Sequence, residues 1–247
     1  MDRLTRHELK QDEFRETLDH LDQYLIAHLK QILTVAILVV VVAGAAGGLK
    51  YYLNQQEANA NIELASALQT FEAYVGNVAP GTLGAGSQTF MNSAEKYQKA
   101  RDQFNAIVLK YRMFPRPKAA RIALYHVGIC DSLLGNSASS ISVLQEASRD
   151  RDREIAALAQ FALAGELLKT GKKQEAVKIY QNLAEHPSLA VPKASVELAL
   201  ADALKDSQPA QARQLYDRIQ KEFGSNVSIA DAVKQQIAEL PQSSSGQ

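Results

Sequence analysis

The sequence predicts an all-α protein in which a single N-terminal transmembrane helix is followed by an α-solenoid of helical hairpins. Three observations predict this class. Residues 32–49 form an uninterrupted apolar run, apolar residues recur at helical spacing after residue 53, and parts of that later region align with one another at a fixed period. The predicted organisation is a cytoplasmic helical segment at 1–30, a transmembrane helix at 31–52, a repeat domain at 53–240 and a disordered polar tail at 241–247.

The leader before the apolar run predicts a short helix. Phe14, Leu18, Leu21 and Leu25 recur at spacings of four, three and four, which places them in one stripe of a helix. The stripe either lies on the membrane surface or binds a partner. As an isolated helix the segment is equally compatible with a half-formed state.

The apolar run has the length and composition of a membrane span. Its 18 residues contain no charge and cover roughly 27 Å as a helix, enough for a bilayer core. The run is apolar on all sides, unlike an amphipathic core helix. Because the leader carries seven acids, whereas a secretory n-region is short and basic, we expect an uncleaved anchor and not a signal peptide.

Residues around the span predict its orientation and one mode of association. Arg15 and Lys30 precede it and Lys50 follows it, so the bias of basic residues favours a cytoplasmic N-terminus. The larger C-terminal part is then outside the cytoplasm. Gly44 and Gly48 form a G-x-x-x-G pair, a motif that lets two spanning helices approach closely and form a homo-oligomer.

Three segments that begin at Arg121, Ala157 and Lys193 each read as a helix, a polar turn and a second helix. The second helices share small residues 36 positions apart, and each is followed four residues later by a large one. These pairs are Ser140 with Leu144, Ala176 with Tyr180, and Ala212 with Tyr216. A further second helix is predicted upstream at Ala100, Phe104 and Ile107. A final amphipathic helix with Ala230, Val233, Ile237 and Leu240 is expected to cap the stack.

Over residues 93–223 this pattern resembles the tetratricopeptide repeat, with Leu124, Val127 and Gly128 at the Leu-Gly positions of the first helix. The whole layout is similar to that of the ancillary SecYEG translocon subunits, bacterial inner-membrane proteins whose tetratricopeptide domain lies in the periplasm. Periplasmic cell-division coordinators and outer-membrane assembly lipoproteins carry the same domain type. The resemblance implies a single-pass inner-membrane protein with translocon components or envelope chaperones as partners.

The resemblance also implies a groove lined by the first helix of each hairpin. Its apolar floor is expected at Tyr125, Ile129, Leu133, Phe161 and Leu168, and the third hairpin is expected to add Glu197, Ala201 and Lys205. An exposed apolar floor is typical of a site for protein partners. Ordinary core positions are the alternative interpretation.

A basic stretch at residues 93–121 holds eight basic residues against two acids. Such a patch attracts anionic lipid headgroups or an acidic partner, and a solvated helix face is the alternative. The residues predicted to form this lipid or acidic-partner patch are Lys96, Lys99, Arg101, Lys110, Arg112 and Arg116.

Composition and motifs argue against catalysis and cofactors. The formal net charge is zero, which disfavours a role in coating nucleic acid. No histidine pair has metal-ligand spacing, and His126 with Cys130 fits packing better than a base and nucleophile. We therefore expect no enzyme, metal or cofactor. The predicted function is a membrane-tethered protein-binding scaffold of the cell envelope, and the alternative is an assembly or cell-division factor that oligomerises through its membrane helix.

Overall fold

A computed structural model describes residues 6–76, 88–225 and 227–239, and within them the chain is almost entirely α-helical. The contacts divide the chain into two units, Met1–Gln56 and Glu57–Gln247. The all-α prediction is confirmed. The helices are α1 (Arg6–Phe71), α2 (Ser93–Lys110), α3 (Lys118–Leu133), α4 (Ser137–Ala147), α5 (Arg153–Lys169), α6 (Lys173–Glu185), α7 (Lys193–Leu204), α8 (Pro209–Phe223) and α9 (Val227–Glu239).

Helix α1 contains the apolar run, and no proline interrupts its 66 residues. Within the first unit, the large side chains from Leu33 to Val42 are 56–70% exposed, so none of the described residues covers them. In the part of the chain that the structure describes, this is the one helix long and apolar enough to cross a membrane.

A short strand pair in the second unit was not predicted from the sequence. Strand β1 (Tyr74–Val75) pairs in parallel with β2 (Thr89–Phe90). Two residues per strand are too few to produce the alternation that indicates a strand in sequence. The glycine-rich linker that the sequence predicts at 80–87 lies outside the described residues.

Three helical hairpins, α3/α4, α5/α6 and α7/α8, coincide with the three aligned segments. Gly135 and Gly171 directly follow the C-caps of α3 and α5 with φ of +81° and +79°, a left-handed conformation that glycine adopts without strain. In the third hairpin Pro209 opens α8, where its missing N–H leaves no helical bond unmade. Each helix from α2 to α8 packs against the next, and α3 also contacts α5.

The buried positions follow the predicted spacing of 36. Ser140, Ala176 and Ala212 are completely buried, and the large residues that follow each of them by four are also buried. Gly128 allows α3 and α4 to approach closely, because a Cβ atom there would lie 2.7 Å from Leu144 Cγ. Helix α9 packs against α8 and buries Val233 in the core cluster that contains Ala176, Tyr180 and Tyr216.

Candidate protein-binding surface

The predicted groove residues lie on the first helices of two successive hairpins. Tyr125 and Ile129 on α3, and Phe161 and Leu168 on α5, are partly buried and pack against one core cluster. Leu133 at the end of α3 is 48% exposed. These side chains therefore form an apolar strip that is anchored in the core on one side and reaches the surface on the other.

Ring contacts hold the two aromatic members of this strip. The Phe161 ring lies 5.5 Å from the Tyr180 ring, and the Tyr125 ring lies 5.1 Å from the His126 ring. Burial raises the pKa of the Tyr125 phenol. Both aromatics thus contribute to packing as well as to the surface.

The third hairpin does not continue this surface as expected. Glu197 and Ala201 on α7 are almost completely buried, and only Lys205 is partly exposed. The Glu197 carboxylate instead accepts a hydrogen bond from Arg218 on α8 at 3.3 Å. The expectation for Glu197 and Ala201 was wrong because α7 turns these positions towards its own hairpin.

Buried carboxylates on the first helices form a set that sequence reasoning missed. Asp131, Glu166 and Glu197 are each at most 2% exposed, and a buried charge needs partners to be tolerated. Arg101 and Ser139 are the partners of Asp131, and Lys169 and Ser132 are those of Glu166. Arg218 and Lys193 are the partners of Glu197. An acid that interrupts an apolar stretch of a helix is the signal that points to such positions in sequence.

The cluster of Ser132, Lys169 and Glu166 has the components of a serine–lysine pair but not its electrostatics. Lys169 Nζ lies 2.7 Å from Ser132 Oγ and 3.0 Å from Glu166 Oε2, yet its side chain is mostly exposed. A lysine that serves as a general base must be desolvated to lose its proton. Burial acts to raise the pKa of Glu166, but hydrogen bonds led by the Ser132 hydroxyl outweigh it and lower that pKa. The cluster is an ion pair that connects α3 to α5.

His126 and Cys130 lie in environments that keep both uncharged at neutral pH. Burial lowers the pKa of His126 to about 4 and, with help from Asp131, raises the pKa of Cys130 to about 12. The imidazole stacks on Phe104 with ring centroids 4.8 Å apart. Both residues act as packing elements, since neither the thiolate nor the imidazolium forms near pH 7.

Half of the predicted basic patch is engaged in ion pairs inside the second unit. Arg101 pairs with Asp131, Lys110 with Glu63, and Arg116 with Glu146. Lys96 donates to the Ala73 carbonyl at 3.1 Å and lies over the Tyr97 ring, and Lys99 lies over the Phe90 ring. Arg112 is exposed in the loop after α2. The six residues therefore do not form one free basic face.

One surface cavity was not predicted from the sequence. It measures about 720 Å³ and lies between the start of α6 and the turn before α8. Lys172, Lys173 and Lys178 line one side, and Lys173 faces Asp206 at 3.8 Å. Its apolar contacts come from Val177 and Leu204.

No family model matches the chain, and no curated protein is significantly similar to it.

Proposed function

We propose that this chain is a membrane-tethered, protein-binding scaffold of the cell envelope. Its tetratricopeptide-like hairpins form a solenoid that offers a groove to partner proteins. The observation that carries the proposal is the apolar strip along α3 and α5, which ends at Leu133 with half of its side chain in solvent. Apolar strips of this kind, fixed on rigid helices, are typical of sites that bind an amphipathic or extended protein segment.

The proposed setting is the bacterial inner membrane. The N-terminus is cytoplasmic, and the hairpins are periplasmic, near the secretion translocon or envelope chaperones. The apolar exposed run of α1 supports a membrane span, and the excess of basic residues before it supports the orientation. A reporter that is active only outside the cytoplasm should be active when fused after Gln247 and silent when fused before Ile32.

The groove is best tested at Leu133, because changing Tyr125 or Phe161 would also remove packing. Leu133→Glu places a charge in the groove without opening the core. Ile62→Glu is the matched control, because Ile62 is 70% exposed on a different helix of the same unit. Crosslinking in native membranes, followed by identification of the attached proteins, provides the measurement.

We expect Leu133→Glu to lower the yield of translocon or chaperone crosslinks by about tenfold or more, in line with loss of an interface anchor. Ile62→Glu should leave the yield unchanged. The proposal fails if the two variants crosslink alike while both melt like the parent.

A second candidate function is an assembly or cell-division factor that oligomerises through α1. The observation that favours it concerns Gly44, Gly47 and Gly48: a Cβ atom added at any of them meets nothing within 4 Å. No packing among the described residues requires these glycines, which favours their face as a contact for another helix. Gly44→Leu with Gly48→Leu should abolish self-crosslinks if this candidate is correct and leave partner crosslinks intact if the groove performs the function.

A further inference from the structure

We propose that the loop between α2 and α3 and the turn between α4 and α5 form one edge that docks on an anionic lipid surface. In this edge, Met113 and Phe114 enter the interfacial layer, and Arg112, Arg149 and Arg151 bind lipid phosphates. The site differs from the groove and does not depend on it. It also differs from a basic face on α2, whose charges are largely paired.

The apolar part of the edge is a pair of adjacent loop residues. Met113 is 76% exposed and Phe114 is 87% exposed, and only Arg112 separates them from Tyr111, the C-cap of α2. Two large apolar side chains at a loop tip have no packing role in the described fold. Large apolar side chains such as phenylalanine are buried at the boundary between headgroups and acyl chains by segments that lie on a membrane.

The two segments of the edge lie side by side. A recess of about 270 Å³ has Phe114 and Arg116 on one wall and Arg149, Asp150 and Arg151 on the other. Two ion pairs hold the segments together: Arg116 bonds to Glu146 at 3.5 Å, and Lys118 bonds to Asp152 at 2.8 Å. The exposed apolar tip and the arginines of the next turn therefore occupy one surface.

This edge has three more arginines than its acidic residues can pair with. Its acids are all engaged, because Glu146 pairs with Arg116, Asp150 with Arg121 and Asp152 with Lys118. Arg112, Arg149 and Arg151 are exposed, and none of them has an ion-pair partner among the described residues. A guanidinium binds a phosphate through two parallel hydrogen bonds. In this arrangement the arginines bind the lipid phosphates while the apolar tip enters the hydrocarbon below them.

The covalent path between this edge and the apolar run is short. The Glu57 carboxylate accepts hydrogen bonds from the Lys118 and Ala119 amides at 2.8 and 3.2 Å, and thereby fixes the end of the α2–α3 loop. Glu57 follows Leu49, the last residue of the apolar run, by eight positions. Eight residues span at most about 28 Å even when fully extended. This short covalent path to the proposed span, together with the charge of the edge, favours a lipid surface as its occupant.

The test uses the full chain reconstituted in vesicles. Met113→Cys carries an environment-sensitive fluorophore, and Leu189→Cys carries the same label as the matched control, because Leu189 is 93% exposed in a different loop between hairpins. Cys130 is completely buried, and the parent chain taken through the same labelling provides the blank. The vesicles contain phosphatidylcholine alone or with one-third phosphatidylglycerol, plus a lipid with a spin label near its headgroup as quencher.

We expect the label at position 113 to be quenched at least about threefold more than the label at 189 in the anionic vesicles. Replacing Arg112, Arg149 and Arg151 with glutamine should reduce quenching at 113 to the level in phosphatidylcholine alone, since each arginine removed weakens docking by about fivefold. Leu133→Glu should not change it.

Two results would overturn the proposal. In the first, the labels at 113 and 189 are quenched equally in anionic vesicles, which would mean that the edge stays in water or meets a protein. In the second, quenching at 113 is independent of phosphatidylglycerol and of the three arginines, which would mean that the tether alone brings the loop near lipid.

Discussion

Replacing His126 with phenylalanine should remove a large part of the acid sensitivity of the helical unit. The His126 ring stacks on Phe104 and makes edge contacts with Phe71 and Tyr125. Its Nδ1 atom is buried, and no hydrogen-bond partner for it exists among the described residues. Phenylalanine keeps the aromatic contacts and eliminates both the unpartnered nitrogen and the titrating proton.

The sign and size follow from the pKa of His126, which burial lowers from 6.5 to about 4. Between these values the unfolded chain binds a proton that the folded chain does not, so the free energy of unfolding rises with pH. The stability that comes from keeping His126 neutral is fully present above about pH 6.5 and is lost as the pH falls to about 4. At 1.36 kcal/mol per pH unit, the free energy of unfolding decreases by about 3 kcal/mol in total, and about 2 kcal/mol of this decrease occurs between about pH 6.5 and about pH 5.

Urea unfolding of the full chain, followed by circular dichroism at several pH values above about 5, measures this effect, because most carboxylates titrate below that range. The parent should lose about 2 kcal/mol across the window and His126→Phe should lose far less. His186→Phe is the control, since it removes an exposed histidine at the end of α6. A parent whose stability is flat between pH 7 and about pH 5, or equal slopes for parent and His126→Phe, would refute the reasoning.

Three other variants or measurements test the packing. Ala176→Arg should unfold the hairpins at a cost above about 4 kcal/mol, because Ala176 is completely buried; Gln181→Arg on the exposed face of the same helix should melt like the parent. Cys130, with its pKa raised to about 12 by burial, should resist iodoacetamide until urea unfolds the chain, and rapid labelling of the folded protein would contradict this. Asp131→Ala should cost about 2–4 kcal/mol in the same urea assay, because Arg101 loses a buried partner, and a loss below about 0.5 kcal/mol would show that the pair contributes little.

The hairpins could be predicted because their packing depends on residue size at a fixed spacing. Ala176 must be small where two helices touch, and Tyr180 must fill the space one turn later, so the period of 36 is written in the sequence. The turn residue Gly171 could be predicted for a similar local reason, because few other residues adopt its left-handed φ. Side-chain size and backbone preference belong to each residue by itself, so a sequence pattern reveals them.

The electrostatics could not be predicted in the same way, because they depend on neighbours far apart in the chain. Arg101 looks like part of a basic stretch, but its partner Asp131 lies 30 residues later on another helix. Glu197 occupies a helix position that the repeat pattern assigns to the groove, yet the packing of α8 supplies Arg218 and buries the carboxylate. A net charge counted along a segment therefore overstates the charge that the folded surface offers.

The two proposed surfaces differ in the kind of exposure they give to apolar side chains, and this difference assigns them to different occupants. Tyr125 and Phe161 are half-buried on helices, so packing fixes their positions. They form a surface of defined shape that a protein segment can complement. Met113 and Phe114 project from a loop and are 76% and 87% exposed, so packing does not fix the shape of the surface they offer. A bilayer accepts such side chains because it has no shape to match, and the unpaired arginines beside them supply the charge that a protein groove would have to provide by design.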